Sequence, residues 1–192
     1  MPWEKKFDEE AVLDKAMHAF WRQGYEATSM RNLVDCMGIN PGSIYAAFGD
    51  KRTLFQKTLD HYEAQSRSML AKLEEKHGPL KAILAVFEHM VDDVRDNPDN
   101  CGCFMVNSIL EGAPKDKKMD KAVQKGIEEF QAFFRRMIKQ GQKAGEINAG
   151  LNPAQTARIL QSLVLGGRVL SRGRSDIAVL KDTVAHVKTI LK

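Results

Sequence analysis

The sequence predicts an all-α protein in which a small three-helix head is followed by a larger helical body, about nine helices in all. Three observations predict it. Apolar residues recur at spacings of three and four along most of the chain. The periodic segments are separated by Gly, Pro, Asn and Asp at positions where helices start and stop. No stretch alternates apolar and polar residues as a half-buried strand would, and there is no repeat or low-complexity tract. A chain of 192 residues with 43% hydrophobic content can fill one large or two modest domains. The expected division is a helix-turn-helix head over 1–50 and a body over 51–192.

The first helix is expected over Phe7 to Gln23, with Leu13, Ala16, Met17 and Phe20 as its apolar stripe. Asp8 to Glu10 suit its positive N-terminal end, and Gly24 closes it. Trp21 and Tyr25 are expected to bury most of their rings against the motif that follows. Lys5 and Lys6 read as a frayed terminus or as an arm reaching phosphates.

Thr28 to Phe55 is the most punctuated stretch. Ser29 can cap a short helix running through Cys36, Gly38 breaks it, and Asn40 caps a second helix from Pro41. Leu33, Val34 and Met37 on the first, Ile44 and Phe48 on the second, and Ile39 between them face a shared support, which the preceding helix supplies. The outer face of the second helix would then carry Gly42, Ser43, Tyr45 and Ala46. Such a slim, hydroxyl-bearing face suits the major groove of DNA better than a packing surface, although a short connector in a helical bundle has the same spacing.

Asp50 can cap a fourth helix, with Leu54 or Phe55, Leu59, Tyr62, Met69 and Leu73 inward, running to Lys76 as a rod of roughly 40 Å. His77-Gly78-Pro79 stops it. Leu80, Ile83, Leu84, Phe87, Val91 and Val94 mark a fifth helix ended by Asp96-Asn97-Pro98. A sixth is expected to open after Asn100 and run through Cys103 to Leu110, stopped by Gly112 and Pro114. Met119, Val123, Ile127, Phe130, Phe134 and Met137 mark a seventh to about Ala144.

From Pro153 to Leu170, Ile159, Leu160, Leu163, Val164, Leu165, Val169 and Leu170 leave little polar face, so this helix needs cover on more than one side. Gly166-Gly167 permits close approach of another backbone. The last helix, with Ile177, Leu180, Val184, Val187 and Leu191 inward, supplies part of the cover. A second subunit or the chain's own core supplies the rest.

Composition excludes more than it selects. No apolar run approaches the ~18 residues of a membrane span, and no export signal is apparent, so the cytoplasm is the expected compartment. Three cysteines, Cys36, Cys101 and Cys103, do not make a disulfide framework. Phosphate-loop, dinucleotide, zincin and nucleophile-elbow motifs are absent, and the five histidines are scattered. No catalytic residue, metal or cofactor is expected. The net charge of +4 favours a nucleic-acid partner mildly, but residues 1–62 carry eight basic and nine acidic groups, minus one in sum. A DNA-binding head must therefore gather its cations on one face.

Cys101-Gly102-Cys103 is the most reactive-looking feature of the body. In the first turn of a helix a thiol gains thiolate character, whereas two positions on one helix point some 200° apart and could not share a metal or a disulfide. One thiol filling the core is the plainer reading; Cys103 beside Phe104 as an oxidant or electrophile trap is the sharper one. Phe87, Met90, Phe104, Met105, Phe130, Phe133, Phe134 and Met137 could border an effector cavity or form ordinary core.

Gly24-Tyr25-Glu26-Ala27-Thr28-Ser29, Gly38 through Phe48, and Lys51 with Leu54 closely resemble the N-terminal domain of the TetR family of transcriptional regulators. Asn40 stands where that family usually has serine, which keeps the cap. Ala47 replaces a frequent histidine or other phosphate-contacting side chain. The resemblance implies a homodimeric regulator, expected to be a repressor, released from a palindromic double-stranded DNA operator by a small-molecule effector or an oxidant. It implies that Pro41, Gly42, Ser43 and Ala46 face base edges, that Thr28, Ser29, Tyr45 and Lys51 hold phosphates, and that Arg31 reaches a guanine. It also implies dimerisation through the helices at 153–171 and 176–191, and it keeps Cys103 in view as a thiol sensor. A helical ligand-binding or interaction module without DNA binding, and a thiol-dependent enzyme, are the competing classes.

Overall fold

Residues 7–96, 101–110, 117–173 and 177–192 are described by a computed structural model, and among them every regular element is a helix. In chain order these are α1 (Glu9–Gln23), α2 (Met30–Met37), α3 (Pro41–Phe48), α4 (Lys51–Lys76), α5 (Pro79–Asp96), α6 (Phe104–Leu110), α7 (Lys117–Lys143), α8 (Pro153–Arg172) and α9 (Ile177–Leu191). The expected stops at Asn97, Pro98, Gly112 and Pro114, the cap at Asn100 and the arm at Lys5 and Lys6 lie outside the described residues, as does the side chain of Met119.

Contacts divide the chain into two units, Met1–Gln65 with Asn107–Val123, and Ser66–Val106 with Gln124–Lys192. In the first unit the caps fix the helix starts. The Asp8 carboxylate accepts from Glu10 N at 2.9 Å and Ala11 N at 3.2 Å, satisfying donors that the first turn leaves open. The inward stripe of α1 is Val12, Ala16, Met17 and Phe20; Val12 replaces the expected Leu13, which is half-buried. Trp21 and Tyr25 are also half-buried. Trp21 meets Tyr62 edge-on at 5.1 Å between centroids, and Tyr25 meets Phe55 at 4.9 Å, so α4 receives both rings. Leu54 and Phe55 are both fully buried, because two adjacent positions of α4 can each face a different neighbour.

The second unit is organised on one apolar cluster drawn from α4, α5, α7, α8 and α9. Leu70, Ala82, Val86, Phe133 and Ile138 belong to it although the periodic pattern singled out their neighbours. In α8 the inward side is Thr156, Ala157, Leu160, Gln161, Val164, Gly167 and Ser171, most of it polar or small. Buried polar groups require partners. Gln161 Nε2 donates to Ile127 O at 2.6 Å, and Ser171 Oγ to Arg168 O at 2.9 Å. Gly167 makes a close approach of a different kind from the one expected: a Cβ there would lie 2.5 Å from Met90 Sδ, whereas Gly166 has nothing within 4 Å.

The segment before α6 departs from expectation. The helix begins at Phe104, so Cys101, Gly102 and Cys103 precede it in irregular backbone. Gly102 has φ 75°, and a Cβ there would lie 2.8 Å from Arg168 O. The left-handed backbone and the close approach to α8 together require glycine. Neither the helical separation of the two thiols nor a first-turn dipole argument applies to this geometry.

Asp93 on α5 joins His89 Nδ1 at 3.0 Å and Arg168 of α8 through a short ion-paired hydrogen bond. Burial pushes the Asp93 carboxyl up, but the bonds to His89 and Arg168 outweigh it and leave it below the usual carboxylate range. The bond to Asp93 holds His89 above its ordinary value, against burial and the Arg168 charge. A histidine raised on folding stabilises most below its unfolded pKa, and the gain is lost as pH rises through the folded value. The stability difference between wild type and His89→Ala should therefore be larger at about pH 5 than at about pH 8 in thermal melts. Asp93→Asn should cost about 1.5–3 kcal/mol at neutral pH, since it weakens a charged hydrogen bond to a mostly covered guanidinium.

Candidate nucleic-acid interface

The helix-turn-helix is built by side chains that complete the backbone. Ser29 caps α2 reciprocally with Asn32: Asn32 N donates to Ser29 Oγ at 3.1 Å, Ser29 N donates to Asn32 Oδ1 at 2.9 Å, and the Ser29 hydroxyl also donates to that oxygen. Gly38 ends the helix in the left-handed conformation, φ 72°, with its N–H on Val34 O at 3.0 Å. Asn40 then caps α3 by accepting from Ser43 N at 2.8 Å, and Pro41 occupies the first turn, where a missing N–H costs nothing. Asp50 accepts from Thr53 N at 2.7 Å to start α4; bonds from the Thr53 backbone and hydroxyl hold its carboxyl below the usual range.

These caps set the phase of α3. Ile44 and Phe48 are buried and Ala47 is half-buried, while Pro41, Gly42, Tyr45 and Ala46 are exposed, Tyr45 by 54%. The exposed strip at i, i+1, i+4 and i+5 is narrow and carries one large side chain. Ser43 departs from expectation. It is 6% exposed and turned inward, because its small side chain fits beneath the cap that its own N–H makes with Asn40. It does not belong to the exposed strip.

Two expected phosphate-holding hydroxyls are already engaged. Thr28 is fully buried and donates to Gly24 O at 2.6 Å, which ties the turn between α1 and α2 and leaves no hydroxyl for a phosphate. Ser29 is exposed, but its hydroxyl serves the α2 cap. Arg31 is exposed in the first turn of α2. Lys51 is half-buried; its Nζ lies 3.4 Å from Glu26 O and 4.4 Å above the Tyr25 ring. Burial first, then the Glu26 and Asp50 charges, hold the Tyr25 hydroxyl above its ordinary pKa. Lys57, unremarked in the sequence, donates from Nζ to Ala47 O at 2.9 Å. Its role depends on a contact ten residues away on another helix, which helical periodicity does not register.

Two family models match the chain. The model described as "Bacterial regulatory proteins, tetR family" matches residues 12–58, the segment holding α2, α3 and the start of α4. The model described as "Tetracyclin repressor-like, C-terminal domain" matches residues 79–187, more than half of the chain. The chain belongs to the TetR family. Among TetR-family relatives it is similar to the uncharacterized HTH-type transcriptional regulator YezE of Bacillus subtilis, 28% identical over 94% of each chain. It is also similar to the HTH-type transcriptional repressor ComR of Escherichia coli K12, 29% identical over 92% of this chain and 85% of ComR. A cysteine mutant of the TetR family regulator CifR, complexed with a 26-base-pair double-strand operator DNA, is 27% identical with a TM-score of 0.83, covering 96% of this chain and 97% of that one. This TetR-family chain is a DNA-binding transcriptional regulator with a helix-turn-helix head and a helical body. Among the described residues no helix is long and apolar enough to cross a membrane, and no cluster of three or more His, Cys, Asp or Glu could hold a metal ion.

Proposed function

We propose that the protein is a homodimeric repressor, acting in the cytoplasm, that holds a palindromic operator through two copies of α3 and releases it when a small molecule or thiol-reactive oxidant acts on the body. The observation that carries the reading is the exposed strip Pro41, Gly42, Tyr45 and Ala46, slim enough for the helix to lie against base edges. Arg31 would add a guanine contact, and Tyr45 and Lys51 phosphate contacts that set register. The complex of CifR with operator DNA supports a duplex partner.

The dimer reading is supported by Ile159, Val169 and Leu170 of α8 and Val179 of α9, each between 44% and 47% exposed on helices whose other sides enter the core. For the effector, Phe87, Met90, Phe104, Phe134 and Met137 are fully buried, Phe130 lies at the cluster edge, and Cys103 is half-buried. A ligand there would have to displace packed side chains. The thiol is the more accessible trigger.

The test is selection of bound sequences from random duplexes, with and without oxidant, using wild type and Cys103→Ser. The expected result is an enriched palindrome for both proteins, with oxidant abolishing enrichment for the wild type and sparing the mutant. Equal release of both would remove the thiol mechanism. Absence of any enriched sequence would overturn the repressor reading itself.

A further inference from the structure

We propose that Lys57 is a positioning residue for operator recognition, fixing the tilt and register of α3 from behind without touching DNA. The inference rests on the DNA-binding reading of the head. Lys57 stands on α4, and its Nζ lies 2.9 Å from Ala47 O and 5.4 Å from the Phe48 ring centroid. Both acceptors belong to the last turn of α3.

The reason for the contact lies in how short α3 is. Eight residues make about two turns, too few to hold a helical geometry alone. The last carbonyls of any helix lack intrahelical donors and carry its negative dipole end. Gly49 N–H closes one, at 3.1 Å from Tyr45 O. Lys57 supplies the Ala47 carbonyl with both a donor and a positive charge. Three anchors therefore hold α3: the Asn40 cap at its start, Ile44 and Phe48 inward, and Lys57 at its end.

Losing the last anchor frees a rotation about the buried middle. For a rod of about 12 Å, a tilt of roughly 10° moves either end by roughly 1 Å, beyond the tolerance of a preorganised site. Gly42 near one end and Tyr45 and Ala46 towards the other would shift in opposite directions. Lys51 differs in kind. It stands six residues earlier, at a longer 3.4 Å from its carbonyl partner, in the position where phosphate contact is expected.

Salt dependence separates the two roles. A lysine that neutralises a phosphate releases counterion, so removing it lowers the slope of log affinity against log salt by about 0.9. A residue that only aligns α3 leaves the slope unchanged and lowers the preference for operator over random duplex. We would titrate wild type, Lys57→Met, Lys57→Arg and Lys51→Ala against the selected operator and a scrambled duplex over a range of salt, with thermal melts in parallel. Lys57→Met should bind the operator about tenfold more weakly, roughly the worth of one charge-assisted bond, with a wild-type slope, scrambled-duplex binding unchanged and helix content retained. Lys57→Arg should restore most of the preference, and Lys51→Ala should show the lowered slope. A lowered slope for Lys57→Met, or equal loss on both duplexes, would overturn the proposal. If Lys57→Met does not fold, Lys57→Gln, a neutral donor, decides by the same two readouts. Failure of the wild type to bind any duplex would instead remove the DNA-binding reading, and this one with it.

Discussion

In the proposed homodimer, Val169→Asp is expected to convert dimer to monomer and to weaken operator binding by about 100- to 10,000-fold. Val169 is 47% exposed on α8, with Leu170 next to it and Ile159 nearly three turns earlier. In a two-fold dimer each copy presents the same patch, so one substitution inserts two carboxylates into the contact. Desolvating them without partners costs far more than the ~1.5–3 kcal/mol a buried valine contributes. The second half-site would then be engaged from bulk solution, not from a tethered position, and the loss of effective concentration sets the 100- to 10,000-fold scale. Sedimentation equilibrium and operator titration read the two effects together. Since the side chain faces outward, the monomer should keep its helix content. Gly166→Ala gives a gentler control: nothing lies within 4 Å of the added methyl inside the chain, so weakened dimerisation would have to arise at the partner. A Val169→Asp protein that stays dimeric with wild-type affinity would place the dimer contact elsewhere.

Much of the head was legible because its residues act locally. Ser29, Gly38, Asn40 and Asp50 each complete a helix end within four residues of themselves, and all four act in the structure as their types imply. What residue type does not reveal is which way a small polar side chain turns and which acceptor already occupies it. Ser43 turned inward because Ile44 and Phe48 alone fix the phase of an eight-residue helix only loosely, and the Asn40 cap settled it. Thr28 looked like a free hydroxyl until Gly24 O was found beneath it. In the body the spacing rule identified the helices, but it left open whether the apolar residues of α8 are covered by the chain's own core or by a second subunit. The inward side of α8 includes Gln161 and Ser171, each of which donates to a carbonyl, while Ile159, Val169 and Leu170 stay outside. The start of α6 was misplaced because Gly102 takes φ 75° and lies close to Arg168 O, which a helix through Cys103 would not allow.

Gly42→Glu should abolish operator binding while leaving the fold intact, which separates recognition from stability more cleanly than truncating Tyr45. Gly42 is exposed near the start of α3, and its nearest neighbour beyond the chain-adjacent residues is Asn40 Oδ1, 3.3 Å from where a Cβ would stand. A few tenths of an ångström of movement in that cap accommodates the side chain. A carboxylate in the first turn interacts favourably with the positive helix end, and glutamate has a better helix propensity than glycine, so melting temperature should hold or rise. On DNA the same charge would be carried among phosphates. Like-charge juxtaposition costs several kcal/mol, and each ~1.4 kcal/mol is tenfold; with two copies per operator, the expected loss exceeds about 100-fold. Gly42→Ala separates bulk from charge: it adds one methyl, and a loss of about tenfold or less would assign the remainder to the carboxylate. If Gly42→Glu binds the operator as wild type does at moderate salt, the start of α3 does not face the groove, and the contacts assigned to Pro41 and Ala46 fall with it.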